Sequence, residues 1–359
     1  MAQTEAPVQV DNDRLMAFVF RAVDEVGAAL NCALVVMGDQ LGYYRDLAAH
    51  GPTTPSELAG RTATGVHYAR EWLNAQAAGG FVDYDAATRR YTLPPEQAVA
   101  LADESSPAFL PGFFQIAYGT ARDAVMVIDA ARAGKGLGWD QHNSDVHAGC
   151  ERFFRPGYAA NLVPAWLPAL DGVVDKLRRG AKVADVGCGH GASTVLMAQA
   201  FPRSTFVGSD FHAESVATAR ERASSAAVED RTRFEVAAAT DFAGLGYDLV
   251  TTFDCLHDMG DPLGAARHVR QVIAADGTWM IVEPAAGDTV EQNLNAVGRA
   301  YYGFSTLLCT PASLSQPPGA ALGTQAGPAR IRAVTADAGF TRFRRVAQTP
   351  FNHVYEVRP

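Results

Sequence analysis

The fold class is decided by the stretch Val183-Ala184-Asp185-Val186-Gly187-Cys188-Gly189-His190-Gly191-Ala192-Ser193, a glycine-rich turn with an acid just before it. Residues 182–186 are predicted to form a buried strand, and residues 193–201 a helix. Glycines between such elements let the backbone turn sharply and let a ligand approach the main chain closely. Their spacing also fits a dinucleotide fingerprint, so the glycines alone leave the ligand open. Asp185 favours a ligand that is cationic at this end, because a carboxylate would repel a pyrophosphate but can hold an ammonium group.

Acidic residues follow the loop at the ends of the next predicted strands. The second strand, 205–210, ends in Asp210, about twenty residues after the glycines, where an acid can bind ribose hydroxyls. A short third strand, 234–236, leads to Asp241, and a fourth, 247–253, leads to Asp254. Any one of these acids alone is more commonly a helix N-cap or a solvated strand end. Their repetition at strand ends, in chain order, favours a ligand site at this edge of the sheet.

This combination resembles motif I and its companion motifs in the class I S-adenosylmethionine-dependent methyltransferases. The resemblance implies an α/β fold with a Rossmann-like sheet, and S-adenosyl-L-methionine as the cofactor. It implies that Asp185 holds the methionine ammonium group, that Asp210 accepts the ribose hydroxyls, and that Phe211 lies against the adenine. It also implies an acid for the adenine amino group, with an apolar neighbour for the ring. The cofactor-binding residues predicted in this way are Asp185, Gly187, Gly189, Gly191, Asp210, Phe211, Thr240, Asp241, Phe242, Phe253 and Asp254.

Composition excludes several other classes of protein. A chain of 359 residues with 48% hydrophobic and 19% charged residues is typical of a soluble globular protein of two or three domains. The net charge of −9 argues against a general role in nucleic-acid binding, which favours a basic excess. No apolar run reaches membrane-spanning length, and the N-terminus is too polar for a secretory signal. The five cysteines are scattered without metal-type spacing, which predicts reduced thiols, a cytoplasmic location and no metal.

The first hundred residues have the pattern of a winged helix. An amphipathic helix is predicted over 12–30, with Leu15, Phe18, Val19, Ala22 and Val26 near one face. Three further helices follow, the third being Val66 to Ala78, and then two strands of a wing, 79–84 and 90–93. A winged helix suggests DNA binding, but the third helix carries few cations and the wing pairs its arginines with acids. We therefore expect domain 1–100 to serve dimerisation, as the related module does in small-molecule O-methyltransferases, and we expect a homodimer without nucleic acid or membrane as a partner.

Residues 101–178 are predicted to be a helical region that bridges the two domains. In the enzymes that the chain resembles, helices here form one wall of the acceptor pocket. The segment contains several histidines and aromatic residues, which either line that pocket or belong to the core. The residues predicted to contact the acceptor here are His142, His147, Phe153 and Tyr158.

Residues 179–359 complete the predicted methyltransferase domain. A fifth strand over 278–283 and a closing hairpin, 342–347 with 353–358, are typical of this fold and absent from ordinary dinucleotide domains. An insertion at 284–327 separates the fifth strand from the last helix. Because an insertion above the carboxyl ends of the strands lies where ligands bind, its aromatic helix is predicted to face an acceptor. The residues concerned are Tyr301, Tyr302 and Phe304.

Over nearly its whole length the chain resembles bacterial methyltransferases with an N-terminal winged helix, an actinobacterial group with a mycobacterial representative. His257-Asp258 follows the fourth strand, as does the His-Asp-Trp motif of plant-type O-methyltransferases, but Met259 replaces the tryptophan. This predicts O-methylation of a small aromatic or polyketide-like hydroxyl compound of natural-product type, with His257 as general base. Glu283 either orients His257 or is unrelated to it. The alternatives are a structural histidine, a ligand-sensing transcriptional regulator, C- or N-methylation, and a non-methylating enzyme on the same fold.

Overall fold

The computed structural model describes residues 10–359 and divides the chain into two compact units, Met1–Tyr118 and Gly119–Pro359. Residues 1–9, which begin the predicted first domain, lie outside the described residues. The division differs from the predicted boundaries at 100 and 178. Leu101 and Phe114 pack in the core of the first unit, whereas Tyr158 and Leu162 pack in a core of the second. The predicted bridging region is therefore shared between the two units.

The first unit consists of helices and one short hairpin. Helix α3 begins with a capping box, in which Glu57 N donates to Thr54 Oγ1 and Thr54 N donates to the Glu57 carboxylate. The two strands pair antiparallel, with Tyr84 opposite Tyr91, and form the predicted wing. The elements are α1 (Asn12–Gln40), α2 (Tyr43–His50), α3 (Pro55–Thr62), α4 (Val66–Ala78), β1 (Asp83–Asp85), β2 (Arg90–Thr92), α5 (Pro95–Leu101) and α6 (Pro111–Arg122), which begins in this unit.

Helix α1 begins at the cap Asp11, whose side chain accepts from the backbone of Asp13 and Arg14, and it runs to Gln40 rather than to residue 30. Its predicted apolar face is exposed, with Phe18 68% and Val26 62% accessible. Burial on this helix begins at its C-terminal end, where Leu34 O accepts from Trp72 Nε1 at 2.8 Å. Among the described residues no helix, α1 included, is long and apolar enough to cross a membrane.

The second unit contains a seven-stranded sheet flanked by helices. Its strands are β3 (Lys182–Val186), β4 (Thr205–Asp210), β5 (Thr232–Val236), β6 (Tyr247–Phe253), β7 (Ile273–Pro284), β8 (Arg342–Gln348) and β9 (Asn352–Arg358). Its helices are α7 (Ala124–Ala133), α8 (Ser144–Asn161), α9 (Val173–Arg179), α10 (Ala192–Ala200), α11 (Ala213–Ser225), α12 (Pro262–Val272), α13 (Ala296–Phe304), α14 (Thr310–Leu314) and α15 (Gly327–Asp337). A 3₁₀ turn covers Leu256–Asp258, and π-helical turns cover Leu162–Trp166 and Ser305–Cys309.

The strands lie in the order β5-β4-β3-β6-β7-β9-β8, and all neighbouring pairs are parallel except those of β9. Successive residues of β3 pack into opposite cores, Val183 on one face and Ala184 on the other, as the pleat requires. The chain passes from β3 outward to β5 and then returns to β6 on the other side of β3. Ligands of open α/β sheets bind at such a reversal, beyond the carboxyl ends of the strands. The predicted sheet and its antiparallel closing hairpin are confirmed.

Candidate active site

The glycine loop lies at the carboxyl end of β3, beside the end of β4. Gly187, Gly189 and Gly191 all have positive φ, between 50° and 75°, which an L side chain adopts only with strain. The loop is fixed to β4, because Gly187 N donates to Ser209 O at 2.8 Å. A Cβ at Gly189 would meet nothing within 4 Å. Open space therefore adjoins the backbone at this point, as a ligand that approaches the main chain requires.

Asp210 lies at the end of β4 next to this open space. Its two carboxylate oxygens accept from Gly189 N and His212 N, each at 2.9 Å. Burial raises the pKa of Asp210, while the two backbone donors act against that rise. Each oxygen retains a second lone pair after these bonds. The geometry therefore orients a carboxylate beside the glycine loop with acceptor capacity left for a pair of hydroxyl groups.

The environment of the Asp185 side chain differs from the one that the sequence analysis predicted. Its side chain is fully buried, with 0% exposure, and its carboxylate accepts from Ser193 Oγ at 2.6 Å, Thr194 Oγ1 at 2.5 Å and Thr251 Oγ1 at 2.9 Å. In the structure the enclosed carboxylate therefore has no exposed surface to offer an ammonium group, and a direct contact stays a prediction. Burial raises the pKa of Asp185, and the three hydroxyl donors oppose that rise. The residue joins β3 to the start of α10 and to β6, and so holds the loop in shape.

The residues expected around an adenine ring differ in their exposure to solvent. Phe211, Thr240 and Asp241 are exposed, so their side chains are accessible from solvent. Phe242 is buried in a core instead, with its ring 4.6 Å from that of His268. The prediction that Phe242 lies against the adenine is therefore wrong, because the apolar side chain after Asp241 turns into the sheet packing.

Phe253 is likewise a core residue. Its ring lies 5.0 Å from that of Tyr158 and it is buried within the second unit. It directly precedes Asp254 and is 7% exposed. The packing gives Phe253 a role in the core, and a cofactor contact by this residue stays a prediction.

Asp254 is held on both carboxylate oxygens. Tyr158 Oη donates to Oδ2 at 2.9 Å, and Asn352 Nδ2 donates to Oδ1 at 2.7 Å. The residue has a positive φ of 51°, an uncommon conformation for a non-glycine residue. Burial, together with the charge of Glu283, raises the pKa of Asp254 to about 8. Asp254 therefore joins α8 to β9 at the end of β6, and Asn352 is a member of this cluster that the sequence analysis did not identify.

His257 and Glu283 form a buried pair at the ends of β6 and β7. His257 Nδ1 lies 2.8 Å from Glu283 Oε2, and Leu256 N donates to Glu283 Oε1 at 3.0 Å. Both side chains are almost inaccessible, with 3% exposure each. The glutamate thus fixes one ring nitrogen and leaves Nε2 as the nitrogen for other chemistry. Of the two interpretations left open for Glu283, the structure favours the one in which it orients His257.

The surroundings of this pair shift the pKa of the imidazole. Burial acts against charge on His257, but Glu283 and Cys309 together raise the pKa of the imidazole well above its ordinary value. Next to it, burial raises the pKa of Asp258 to about 7, although the charge of His257 acts against that rise. The site therefore contains two carboxyl groups, those of Asp254 and Asp258, with pKa values near neutrality beside the shifted imidazole, a pattern that is common at functional sites.

The insertion after β7 is bound to the segment that carries His257. Gly323 N donates to His257 O at 3.2 Å, Ala320 N to Gly260 O at 2.9 Å, and Ser313 Oγ to Met259 O at 2.8 Å. These bonds place the π-helical turn Ser305–Cys309 beside the histidine, and Cys309 interacts with the imidazole directly. Cys309 was not predicted as a site residue, because no spacing in the sequence connects it to His257.

The two histidines predicted to contact the acceptor have hydrogen-bond partners other than His257. His142 is buried, with Nδ1 2.9 Å from Asp123 Oδ2, and its Nε2 has no hydrogen-bond partner among the described residues. His147 Nε2 lies 2.9 Å from Trp139 O, and its ring is 5.3 Å from that of His212, two residues after Asp210. His147 is therefore on the glycine-loop side of the site, and no hydrogen bond in the described part of the chain joins either residue to His257.

The predicted aromatic residues are only partly brought together. Phe153 contacts Phe351 with their rings 5.6 Å apart, and Tyr301 Oη donates to Phe351 O at 2.9 Å. Phe351 directly precedes Asn352, so these three aromatic residues lie close to the Asp254 cluster. Tyr302 instead interacts with Asn293 at 3.5 Å, and Phe304 is half-buried. Tyr158 donates a hydrogen bond to Asp254, as described above.

Comparison with known proteins gives family matches in both units and similar solved structures. Residues 177–320 match a family model described as a methyltransferase domain, and residues 28–103 match one described as a Rv2258c-like winged HTH domain. The structure of mitomycin 7-O-methyltransferase is similar, with 17% identity, a TM-score of 0.69, and 97% of this chain and 99% of that chain covered. An O-methyltransferase family protein from Burkholderia thailandensis has 16% identity and a TM-score of 0.66, with 98% and 99% covered.

Two further relatives carry information on ligands. The O-methyltransferase NcsB1 from neocarzinostatin biosynthesis, in complex with S-adenosyl-L-homocysteine and 1,4-dihydroxy-2-naphthoic acid, has 16% identity and a TM-score of 0.63, with 94% and 98% covered. A 27-O-demethylrifamycin SV methyltransferase of Amycolatopsis mediterranei is 28% identical over 131 residues, which are 34% of this chain. That match spans 48% of the relative, about half its length.

These findings show that the second unit has the class I, Rossmann-like fold and that residues 177–320 are similar to a methyltransferase domain. Residues 28–103 of the first unit are similar to a winged HTH domain of Rv2258c-like type. The predicted fold class is confirmed for both units. The predicted cofactor and acceptor residues remain proposals, apart from the corrections given above.

Proposed function

We propose that this chain is an S-adenosylmethionine-dependent methyltransferase that methylates a hydroxyl group of a small aromatic or polyketide-like molecule. The observation that carries the proposal is the His257–Glu283 pair, 2.8 Å apart, at the carboxyl edge of a methyltransferase sheet. A buried imidazole fixed by a carboxylate on one nitrogen is the arrangement that general-base chemistry uses.

The residues around the glycine loop fit the proposed cofactor. The open space at Gly189 admits a ligand to the main chain, and Asp210 offers two oriented oxygens for ribose hydroxyls. The exposed Phe211 and Asp241 supply a ring and an acid for an adenine. Asp185 contributes indirectly, by holding the loop and the start of α10. When bound, S-adenosylmethionine supplies an activated methyl group, so the protein need only align the acceptor and remove its proton.

In this mechanism His257 Nε2 accepts the proton of the acceptor hydroxyl. Glu283 stabilises the imidazolium that results and keeps the ring in place, since its carboxylate bonds Nδ1 while Leu256 N holds its other oxygen. The buried surroundings strengthen this charge interaction and keep bulk water from competing for the proton. Asp254 is a positioning residue, because both of its oxygens are used to join Tyr158 and Asn352.

An aromatic acceptor is supported by the side chains near this cluster. Phe153, Phe351 and Tyr301 lie together beside Asp254 and could bury a flat ring. The similar enzymes act on rifamycin and mitomycin compounds or bind a dihydroxynaphthoic acid. We infer the same general class of acceptor for this chain, within natural-product biosynthesis.

The proposal is tested by binding and by methyl transfer. Titration calorimetry with S-adenosyl-L-homocysteine should show one site per chain with about micromolar affinity, whereas NAD should not bind. 1,4-Dihydroxy-2-naphthoic acid is a suitable first acceptor probe, with mass spectrometry of the product to distinguish O- from C-methylation. Binding of NAD without binding of S-adenosylhomocysteine would overturn the proposal.

We also propose that α1 joins two copies of the chain. Leu15, Val19, Val23, Val26 and Leu30 recur every three or four residues on this helix and are all exposed. Apolar side chains with this spacing form one stripe on a helix, which is stable in water once a second stripe covers it. A second copy of the same helix offers a matching stripe through a two-fold axis.

The winged helix-turn-helix match favours a second candidate function, a ligand-sensing DNA-binding regulator. The charges of the third helix argue against it, because Arg70 pairs with Glu71 at 2.8 Å instead of presenting a free cation. In the wing, Arg90 pairs with Glu57 at 2.8 Å. We therefore propose an interaction domain with no nucleic-acid partner. Sequence-selective gel shifts at physiological salt would favour the regulator.

A cytoplasmic location is part of the same proposal. It rests on the odd number and scattered spacing of the five cysteines, which suit a reducing compartment.

A further inference from the structure

Three aromatic rings pack together beside the glycine loop. The ring of His147, on α8, lies 5.1 Å from the ring of Trp139 and 5.3 Å from the ring of His212, with interplanar angles of 35° and 51°. Aromatic rings at such separations attract each other. We call Trp139, His147 and His212 the ring cluster. It joins the segment before α8 to the segment that follows β4.

His212 connects the ring cluster to the glycine loop. Its backbone N donates to one oxygen of Asp210 at 2.9 Å, and the other oxygen of Asp210 accepts from Gly189 N at 2.9 Å. Burial lowers the pKa of His190 within the loop, and His147 is among the neighbouring groups that lower it further. The ring cluster therefore lies at the edge of the site that Asp210 and Gly189 define.

The hydrogen bond of His147 determines which of its ring nitrogens carries the hydrogen. Nε2 lies 2.9 Å from Trp139 O, and because a carbonyl oxygen only accepts, Nε2 is the donor. Burial lowers the pKa of His147 below its ordinary value, so the imidazole is uncharged at neutral pH. Nδ1 therefore keeps a lone pair that can accept a hydrogen bond.

The exposure of the ring cluster differs from that of a core. Its three side chains are all half-buried, whereas the other tryptophans, Trp72, Trp166 and Trp279, are at most 2% exposed. Half-buried rings beside an oriented carboxylate suit a nucleoside. A flat base packs against aromatic rings, and its amino group and the sugar hydroxyls donate to acceptors such as a carboxylate and an imidazole lone pair.

We propose that the ring cluster is the part of the cofactor site that contacts the nucleoside of S-adenosylmethionine, and that His147 binds the cofactor and not the acceptor. The proposal rests on the proposed function, since it requires the cofactor to bind at the glycine loop. α8 then belongs to both parts of the site, because Tyr158 on the same helix donates to Asp254.

Trp139 allows a test on the unaltered chain. Since the other three tryptophans are enclosed, S-adenosyl-L-homocysteine that packs against the ring cluster should change mainly the fluorescence of Trp139. The change should saturate with the Kd that calorimetry gives, and Trp139→Phe should remove most of it. Binding without a change in emission, or a change that persists in full in Trp139→Phe, would place the ring cluster outside the cofactor site.

Replacing His147 tests the same contact through affinity. His147→Ala removes a ring and an acceptor, and should weaken binding of S-adenosyl-L-homocysteine by about tenfold in calorimetric titration. His147→Phe keeps a ring and should weaken binding less. His268→Ala is the matched control, because His268 is also a half-buried helix residue with Nε2 2.8 Å from a backbone carbonyl, that of Phe242. It should leave the affinity unchanged.

The melting temperature of each variant separates a lost contact from a lost fold. If His147→Ala is folded and binds S-adenosyl-L-homocysteine as tightly as the wild-type chain, the proposal is wrong. If His147→Ala does not fold, His147→Phe and the fluorescence of the wild-type chain still decide the question. A wild-type chain that does not bind S-adenosyl-L-homocysteine at all would instead contradict the methyltransferase proposal, so the two failures are distinguishable.

Discussion

Glu283 and His257 are joined by a 2.8 Å contact between Oε2 and Nδ1, although one ends β7 and the other lies in the turn after β6. β6 and β7 are parallel neighbours, with Phe253 opposite Val282, so the residues that follow them meet at the same edge of the sheet. Pairing two neighbouring strands thus creates the buried acid–base pair on which the proposed chemistry depends.

Replacing His257 should affect catalysis far more than cofactor binding. His257→Ala should lower kcat by roughly a hundredfold or more, because the acceptor then has no general base. Glu283→Gln should cause a smaller loss, since the imidazole remains but loses its charged partner. Cofactor affinity measured by calorimetry is the control and should change little in either variant. If His257→Ala kept full turnover, His257 would not be the general base, and catalysis would depend on alignment of the acceptor alone.

The pH dependence of kcat/KM should reflect the raised pKa of His257. A general base must be neutral, so activity should fall as pH decreases through this pKa, and the acid limb should lie above the ordinary histidine value of about 6.5. The charged and titratable groups around His257 are Glu283, Cys309, Asp254 and Asp258. Glu283→Gln removes a carboxylate that stabilises the imidazolium, so it should move the acid limb to lower pH.

Asp258 is the necessary control for that profile, because its own pKa of about 7 lies in the same range. Asp258→Asn also removes a carboxylate near His257, and it should shift the limb less than Glu283→Gln does, since Asp258 has no hydrogen bond to the ring among those of the described residues. If Asp258→Asn shifted the acid limb of the pH profile more than Glu283→Gln did, the titrating group would be Asp258 and not His257.

Asp210 should determine affinity for the nucleoside part of the cofactor. Asp210→Ala removes the oxygens proposed to accept the ribose hydroxyls, and should weaken S-adenosylhomocysteine binding by about tenfold to a hundredfold. Calorimetric titration measures the effect, with the exposed Asp230→Asn as the matched acidic control. Wild-type affinity in Asp210→Ala would show that the ligand lies elsewhere.

Asp185 should contribute to stability instead of direct binding. Asp185→Asn weakens a charged acceptor for three hydroxyl donors, so the free energy of unfolding should fall by about 2 kcal/mol. Denaturant or thermal unfolding measures this. If stability were unchanged while cofactor affinity was lost, direct contact with the methionine ammonium would be the correct interpretation after all.

Helix α1 should control the oligomeric state. The double variant Val23→Glu and Val26→Glu places two charges in the apolar stripe, and should convert a dimer into monomers in sedimentation or light-scattering measurements. Ala17→Glu and Ala28→Glu add the same charges at exposed positions on the other side of the helix and should leave the dimer intact. A wild-type chain that is monomeric at micromolar concentration would contradict the proposal.

The sequence predicted those features that depend on local pattern. The three glycines, the acids at strand ends and the predicted strands gave the sheet, the loop and the hairpin, because strand and turn preferences act over a few residues. The same local signal gave Asp210 and His257 their positions at strand ends. It could not show that Phe242, between β5 and β6, and Phe253, at the end of β6, turn into cores, since the packing of each depends on the elements that cover it.

What only the tertiary structure decided is which of these residues meet. Asp185 is enclosed because Ser193, Thr194 and Thr251 converge on it from α10 and β6. Cys309 reaches His257 because the insertion is bonded to the turn after β6, and Asn352 reaches Asp254 from the start of β9. These contacts join positions far apart in the chain. The sequence by itself determined the elements and the ligand-binding edge of the sheet, whereas burial and long-range hydrogen bonding determined the chemical environment of each side chain there.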